Sequence, residues 1–221
     1  MDSIQTSTAS AVDIVRNALE ADIMRMHFAP GAKLTENELS IRYGISRNTI
    51  REAVAHLMAQ GLLTKIANRG VFVRSFTVAD VQEIFHLRAL LELEAIHSIV
   101  TANITPSHLY QVIDRMEQTD RQRDWDTYVQ DDILFHSSLV AAVNSPRLSK
   151  LYETILTEVK LCIYQTRNYV QLPTAINNSH RQLLDAICAH DLHISLNLMQ
   201  THIENVIKRY CSGLIAMEQS E

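Results

Sequence analysis

Glycine and proline, the residues that interrupt regular structure, are scarce in this chain and unevenly spread. Its 221 residues include five glycines and four prolines, and four of the glycines lie in the first 70 positions. A sandwich of many short strands needs a turn roughly every 8–12 residues, so that class is excluded. Long helices remain, with one region of frequent turns near the start.

In that region the apolar residues Val12, Ile14, Val15, Ala18, Leu19, Ile23, Met24 and Met26 recur at three- and four-residue steps, which predicts a helix over 9–26. Pro30-Gly31 ends it. Thr35-Glu36-Asn37-Glu38 reads as a capping box that opens a short helix to about Tyr43, and Gly44 closes it. Ser46 caps the next helix, which runs to about Gln60 before Gly61. Leu62–Ala67 and Val71–Ser75 read as two strands around the turn Asn68-Arg69-Gly70. Three helices and a hairpin in this order make a winged helix-turn-helix.

Beyond Phe76 the strand signals stop. Thr77 to Asp80 is a second capping box, Thr105-Pro106 and Ser145-Pro146 are helix starts, and Asp191 caps a last helix. Six helices are expected, over 78–102, 106–122, 125–143, 146–169, 175–190 and 192–216. The fold class is therefore mostly α, with a winged helix-turn-helix over 1–76 and an all-helical bundle over 77–221.

Charge divides the same way. Residues 1–75 carry nine basic and seven acidic side chains, and the remainder carries 11 basic and 18 acidic, within a net charge of -5. A basic front suits a polyanion, although so small an excess does not establish one. No apolar run approaches the roughly 18 residues of a membrane span, and the first residues lack the pattern of a secretory signal. Cys162, Cys188 and Cys211 form no paired motif, which suits a reducing compartment and a cytoplasmic protein.

The first constellation that carries chemistry is Ser46-Arg47-Asn48-Thr49-Ile50-Arg51. Arg47 and Arg51 are four apart and share one face in the first two turns of their helix. Recognition helices present their N-terminal residues to base edges, and arginine forks onto guanine O6 and N7. Ser46, Asn48 and Thr49 are placed to reach phosphates. Ile50, Val54, Leu57 and Met58 form the buried stripe opposite. Arg69 at the hairpin tip suits a minor groove.

These stretches, with Pro30-Gly31-Ala32-Lys33-Leu34, Glu36 to Ser40 and Arg69 to Val73, resemble the DNA-binding domain of the GntR family of bacterial transcription regulators. The resemblance spans residues 12–75. It implies that Arg47 and Arg51 read bases, that Ser46, Asn48 and Thr49 touch DNA, and that Arg69 and Gly70 enter the minor groove. Asn48-Thr49 stands where the family often has Thr-Pro, His27 where it usually has glycine, and Asn37 where some relatives carry a basic DNA-contacting residue.

The second constellation is made of histidines. Asp132 and His136, at i and i+4, project side by side as half a site for a divalent transition metal. Such a pair is also a common surface ion pair. Closing a metal site needs ligands from other helices, for which His180 and His202 are candidates. Spacing alone does not bring the four together. His56, His86, His97, His108, His190 and His193 have no partner at diagnostic spacing.

Residues 78–216 look like the helical ligand-binding domain, called FCD, of the FadR subfamily of the same regulators. The likeness rests on Leu87 to Glu92, Asp132 to His136 with Asn144, His180 to Ile187, Asp191 and His202. It implies that Asp132, His136, His180 and His202 hold a divalent metal, zinc first, with nickel, manganese or iron as alternatives. It also implies a small organic acid bound against that metal, with Arg88, Asn144 and Arg167 as effector contacts. Ser179 stands where relatives often have Glu just before the third ligand.

The expected function is a ligand-responsive repressor that binds a palindromic DNA operator as a homodimer. Two alternatives stay open: a regulator that senses metal alone, and a helical-bundle metalloenzyme. The second leaves the N-terminal domain unexplained, and the sequence offers no separate general base or nucleophile for it.

Overall fold

A computed structural model describes residues 10–122, 124–170 and 176–219. The chain divides into two compact units, residues 1–75 and 76–221.

The first unit is a winged helix-turn-helix. Helix α1 (Ala11–Met24) begins at Ser10, whose hydroxyl caps the N–H of Asp13. Strand β1 (Lys33–Leu34) leads into α2 (Glu36–Tyr43), and Gly44, left-handed at φ 67°, ends that helix. Helix α3 (Arg47–Ala59) starts at the Ser46 cap. Strands β2 (Leu63–Ile66) and β3 (Gly70–Val73) form the wing, paired antiparallel with Leu63 opposite Val73 and Ile66 opposite Gly70.

The sheet order is β1-β3-β2, so β1 adds to the free edge of the hairpin, Lys33 facing Phe72 and Leu34 facing Val71. This third strand has no counterpart in the sequence reading, because two residues show no alternation. The core is drawn from every element: Val15, Leu19 and Ile23 of α1, Leu39 of α2, Ile50, Ala53, Val54 and Leu57 of α3, and Leu63 and Val73 of the wing are all buried. Each valine, leucine or isoleucine side chain so removed from water contributes about 1.5–3 kcal/mol. Asp22 ties α1 to α2 by accepting hydrogen bonds from Arg42 and Tyr43.

The second unit is all helix among its described residues: α4 (Val78–Thr101), α5 (Leu109–Gln122), α6 (Trp125–Ala141), α7 (Pro146–Thr166), α8 (Ile176–Cys188) and α9 (Leu192–Glu218). Helix α4 is central, packed against α6, α7, α8 and α9. Its buried face runs through Val81, Ile84, Phe85, Ala95, Ile96 and Ile99, with Arg88 and Glu92 in mid-stripe. Phe85 stacks on Tyr210 of α9 at 5.4 Å between ring centres. No described helix is long and apolar enough to cross a membrane.

Three boundaries differ from expectation for one reason. Glycine is missing where these helices end, so Asn103, Asn144 and His190 take the left-handed turns at φ 53°, 55° and 55°. The preceding helices close one or two residues early as the chain reverses through these positions. Helix α5 also starts at Leu109 rather than Pro106. Leu109 N–H donates to Pro106 and Tyr110 N–H to Ser107, tight i to i+3 turns that delay the α-helix.

Candidate metal centre and nucleic-acid interface

The second unit gathers its titratable groups beside α4. Asp132 and His136 lie on successive turns of α6, His180 opens onto them from α8, and His202 comes from α9. His136, His180 and His202 are buried, and one nitrogen from each ring lies within 4.8 Å of the others. His136 Nε2 stands 3.1 Å from His180 Nε2. Asp132 Oδ1 is 3.3 Å from His180 Nε2 and 3.9 Å from His136 Nε2. Residues 44 apart in sequence are thus in contact, brought together as α6, α8 and α9 all pack against α4.

Hydrogen bonds outside the cluster orient the rings. His136 Nδ1 meets Glu92 Oε2 at 2.8 Å, so with Nδ1 as donor its Nε2 turns a lone pair inward. His202 Nδ1 meets Ser179 Oγ at 3.3 Å, and its Nε2 is buried with no hydrogen-bond partner. Burial and the neighbouring Arg88 cation lower the His136 pKa. Burial, His180 and His136 push His202 well down. Both rings are therefore neutral near pH 7, the form in which imidazole is a ligand.

Burial would raise the Asp132 carboxyl, but its bond to His180 and the nearby His136 and Arg88 hold it well below the usual carboxylate range. An inward-turned lone pair, an orphaned ring nitrogen and a carboxylate beside them form a set that a divalent cation satisfies. Ligands each about 2.1 Å from one ion stand about 3.0–3.4 Å apart at octahedral or tetrahedral angles, which suits the closest spacings here. The residues present fit the group.

Below the cluster lies a buried network that the sequence reading did not contain. Glu92 accepts from Arg88 Nε at 2.7 Å and from the Tyr152 hydroxyl at 2.5 Å, besides meeting His136. Burial opposes its charge, but Arg88 and His136 outweigh burial and hold the carboxyl far below its usual range. Arg88 Nη2 is left buried without a partner. A cavity of about 20 Å³ opens there, lined by Arg88, Trp125, Asp132, His202, Arg209 and Tyr210 among others. That is room for a water molecule or an ion.

Of the three side chains expected to contact an effector, Arg88 lines this cavity, whereas Asn144 and Arg167 do not. Asn144 is exposed in the turn between α6 and α7. Arg167 follows α7 and pairs with Asp126 at 3.4 Å. Arg209, Trp125 and Glu92 take part at the site without having been anticipated. One signal was available for Glu92: it lies four residues after Arg88, in phase with Phe85, Ala95 and Ile96, where a charged pair falls on the core stripe.

In the first unit the DNA-facing candidates lie on α3 and the wing. Arg47, Asn48 and Arg51 are exposed on the first turns of α3, while Ile50, Val54 and Leu57 are buried opposite and Met58 partly so. Ser46 Oγ accepts from Thr49 N–H at 3.3 Å and lies 2.9 Å from the Thr49 hydroxyl, so both also serve the cap. Arg69 is exposed at the hairpin tip, its guanidinium 5.8 Å from the Phe72 ring centre. Gly70 has φ 114°, and a Cβ there would meet Lys33 Cε at 3.2 Å.

Helix α2 reaches toward these arginines. Arg47 Nη2 donates to Asn37 Oδ1 at 2.6 Å. Arg51 places Nε and Nη2 on the two oxygens of Glu36 at 2.8 and 2.7 Å, and Nη1 lies 3.3 Å from Asn48 Oδ1. These bonds hold the Glu36 carboxyl below its usual range.

Comparison with known proteins agrees with both halves. Residues 12–73 match bacterial regulatory proteins of the gntR family, and residues 83–205 match the FCD domain. The HTH-type transcriptional regulator BphR of Paraburkholderia xenovorans is 25% identical over 206 residues, 90% of this chain and 84% of its own. The HTH-type transcriptional repressor RspR of Escherichia coli is 25% identical over 85% of this chain and 83% of its own. A crystal structure titled a putative transcriptional regulator GntR, from a Rhodococcus species, superposes with a TM-score of 0.77. It is 26% identical and covers 91% of this chain and 98% of its own.

Proposed function

The chain belongs to the gntR family of transcription regulators and carries an FCD domain, and from that premise we propose that it is a cytoplasmic, ligand-responsive repressor. It is a regulator and not an enzyme, as its relatives are, so the metalloenzyme alternative falls away. In this reading residues 1–76 bind DNA and residues 77–221 hold metal and effector and form a homodimer. A two-fold dimer reads a palindromic operator, one α3 per half-site. Arg47 and Arg51 contact bases, Ser46, Asn48 and Thr49 the backbone, and Arg69 and Gly70 the minor groove.

Asp132, His136, His180 and His202 would hold a divalent transition metal, zinc first and nickel, manganese or iron after it. When bound, the ion supplies a Lewis-acid anchor for an oxygen ligand. The chain's own residues set what else can bind. Arg88 offers an unpaired donor to an anion, and Tyr128, Val129 and Ile163 wall the space off. At about 20 Å³ the cavity does not take a metabolite carboxylate as it stands, so the lining, Trp125 and Arg209 included, has to shift for an effector to enter. That coupling of occupancy to packing is what an effector needs in order to favour one state of the protein over another.

The convergence of three buried histidines and Asp132 next to an unpaired arginine donor supports this reading most strongly. The test is fluorescence anisotropy of the full chain on the DNA flanking its own gene, with random duplex as control. Zinc, nickel and manganese are tried alone and then with a panel of small carboxylates. The reading expects a salt-dependent preference for the native fragment that a carboxylate changes only when metal is present. His136→Ala should lose bound metal and that response together while still binding DNA. Metal alone changing DNA affinity would favour the pure metal sensor, and unchanged metal content in His136→Ala would remove the proposed ligand set.

A further inference from the structure

We infer that Glu36 of α2 is a specificity-determining residue for DNA: it positions Arg51 so that one edge of the guanidinium faces a guanine. The inference rests on the proposal that Arg51 reads a base, and adds which residue makes that reading selective.

The Arg51 guanidinium has five N–H groups on a rigid plane. The side-on edge, Nε with Nη2, is engaged by the two oxygens of Glu36. Nη1 lies 3.3 Å from Asn48 Oδ1, a contact that takes one of its two hydrogens. Two N–H groups remain, one on each Nη nitrogen, and with the stem-side Nη1 hydrogen on Asn48 they are parallel and directed away from the stem. That pair is the fork that meets O6 and N7 of guanine. The bonds within the protein therefore leave open the edge that discriminates a base.

Stability does not account for the pair. The Arg51 and Glu36 side chains are 62% and 39% exposed, and ion pairs so exposed contribute little to folding. On a DNA-facing surface a carboxylate also repels phosphates and weakens binding to every sequence alike. A group that adds little stability and opposes general affinity is accounted for by orientation. It removes the rotamer freedom of a long arginine before binding, and it leaves Arg51 poorly suited to wandering onto a phosphate. Asn37 holds Arg47 through a single neutral acceptor, so that arginine is tethered less firmly.

The experiment selects duplexes from a library of random 30-base-pair DNA with the full-length chain, its Glu36→Gln and Glu36→Ala forms and Arg51→Ala. The recovered sequences are read, and affinities for the best duplex, its single-position variants and random duplex are then measured. We expect the parent to select one guanine per half-site that Arg51→Ala abolishes. Both Glu36 forms should lose about tenfold in preference at that same position and keep the other positions. They should also bind random duplex as tightly as the parent or a few-fold more tightly.

A purely structural role would lower affinity at all positions together and would not raise random binding, which overturns the proposal. So does a Glu36→Ala form with the parent's base preference, in which case the base-reading role of Arg51 survives. If Arg51→Ala selects the same sequences as the parent, or the parent selects none, the base-reading role falls and the proposal falls with it.

Discussion

Glu92 is the residue on which the helical unit's polar interior turns. It meets a cation, a phenol and an imidazole while fully buried, so its carboxylate neutralises Arg88 and aims His136 at once. Truncation leaves the Arg88 guanidinium in the core without its hydrogen-bonded counter-charge. Glu92→Ala should therefore cost about 3–5 kcal/mol, measured by denaturant unfolding of metal-free protein. It should also weaken zinc binding about 10–100-fold, because the ring that presents Nε2 loses its orienting partner. Zinc affinity equal to the parent's would mean that packing against Phe135 and the other histidine rings is enough to hold the ring. The sequence hid this residue for a physical reason. An Arg and a Glu at i and i+4 look the same on a solvated face as in a core, and only their phase against the apolar stripe separates the two cases.

At the scale of elements, helices end by different means: glycine turns the chain after α2, whereas Met26 does so after α1 and asparagine or histidine does so in the second unit. Gly44 turns α2 toward α3 at φ 67° with no heavy atom within 4 Å of where a Cβ would stand. The penalty for Gly44→Ala is then backbone strain alone, about 1–2 kcal/mol, read as a loss of thermal stability in the first unit. Asn144 makes the corresponding turn after α6 at φ 55° in an exposed position. Asn144→Gly should be neutral or stabilising by up to about 1 kcal/mol, and it should leave the effector response intact. A response lost in Asn144→Gly would return that residue to the binding site.

The contrast also explains what was legible beforehand. Where glycine or proline punctuates, as at Pro30-Gly31, Gly44 and Gly61, the order of elements could be read directly. Where asparagine or histidine does the same work, the helices end one or two residues before the expected positions. Strand β1 has no local signal at all, since it exists only because β3 offers an unpaired edge.

For the whole molecule, occupancy of the histidine cluster should be visible as stability. At about a thousand times its Kd, an ion that binds only the folded state stabilises it by about 4 kcal/mol. Zinc should therefore slow hydrogen exchange across α6, α8 and α9, and His136→Ala should abolish the effect. Zinc protection that persists in His136→Ala would put the ion elsewhere. The fold class could be read from the spacing of apolar residues and caps, but the site could not, because its members lie on three helices far apart in sequence that come together around α4.

That dispersal has a consequence for how the protein is made. The imidazole of His136 leaves the ribosome 44 residues ahead of its neighbour His180, and His202 is later still. At about 5–20 residues per second the half-formed site waits several seconds with one carboxylate and one ring, too few to discriminate among ions. Only a chain translated through α9 presents all its donors. The choice of ion then belongs to the finished domain and to whichever metals the cell leaves free at that moment, and not to the order of synthesis.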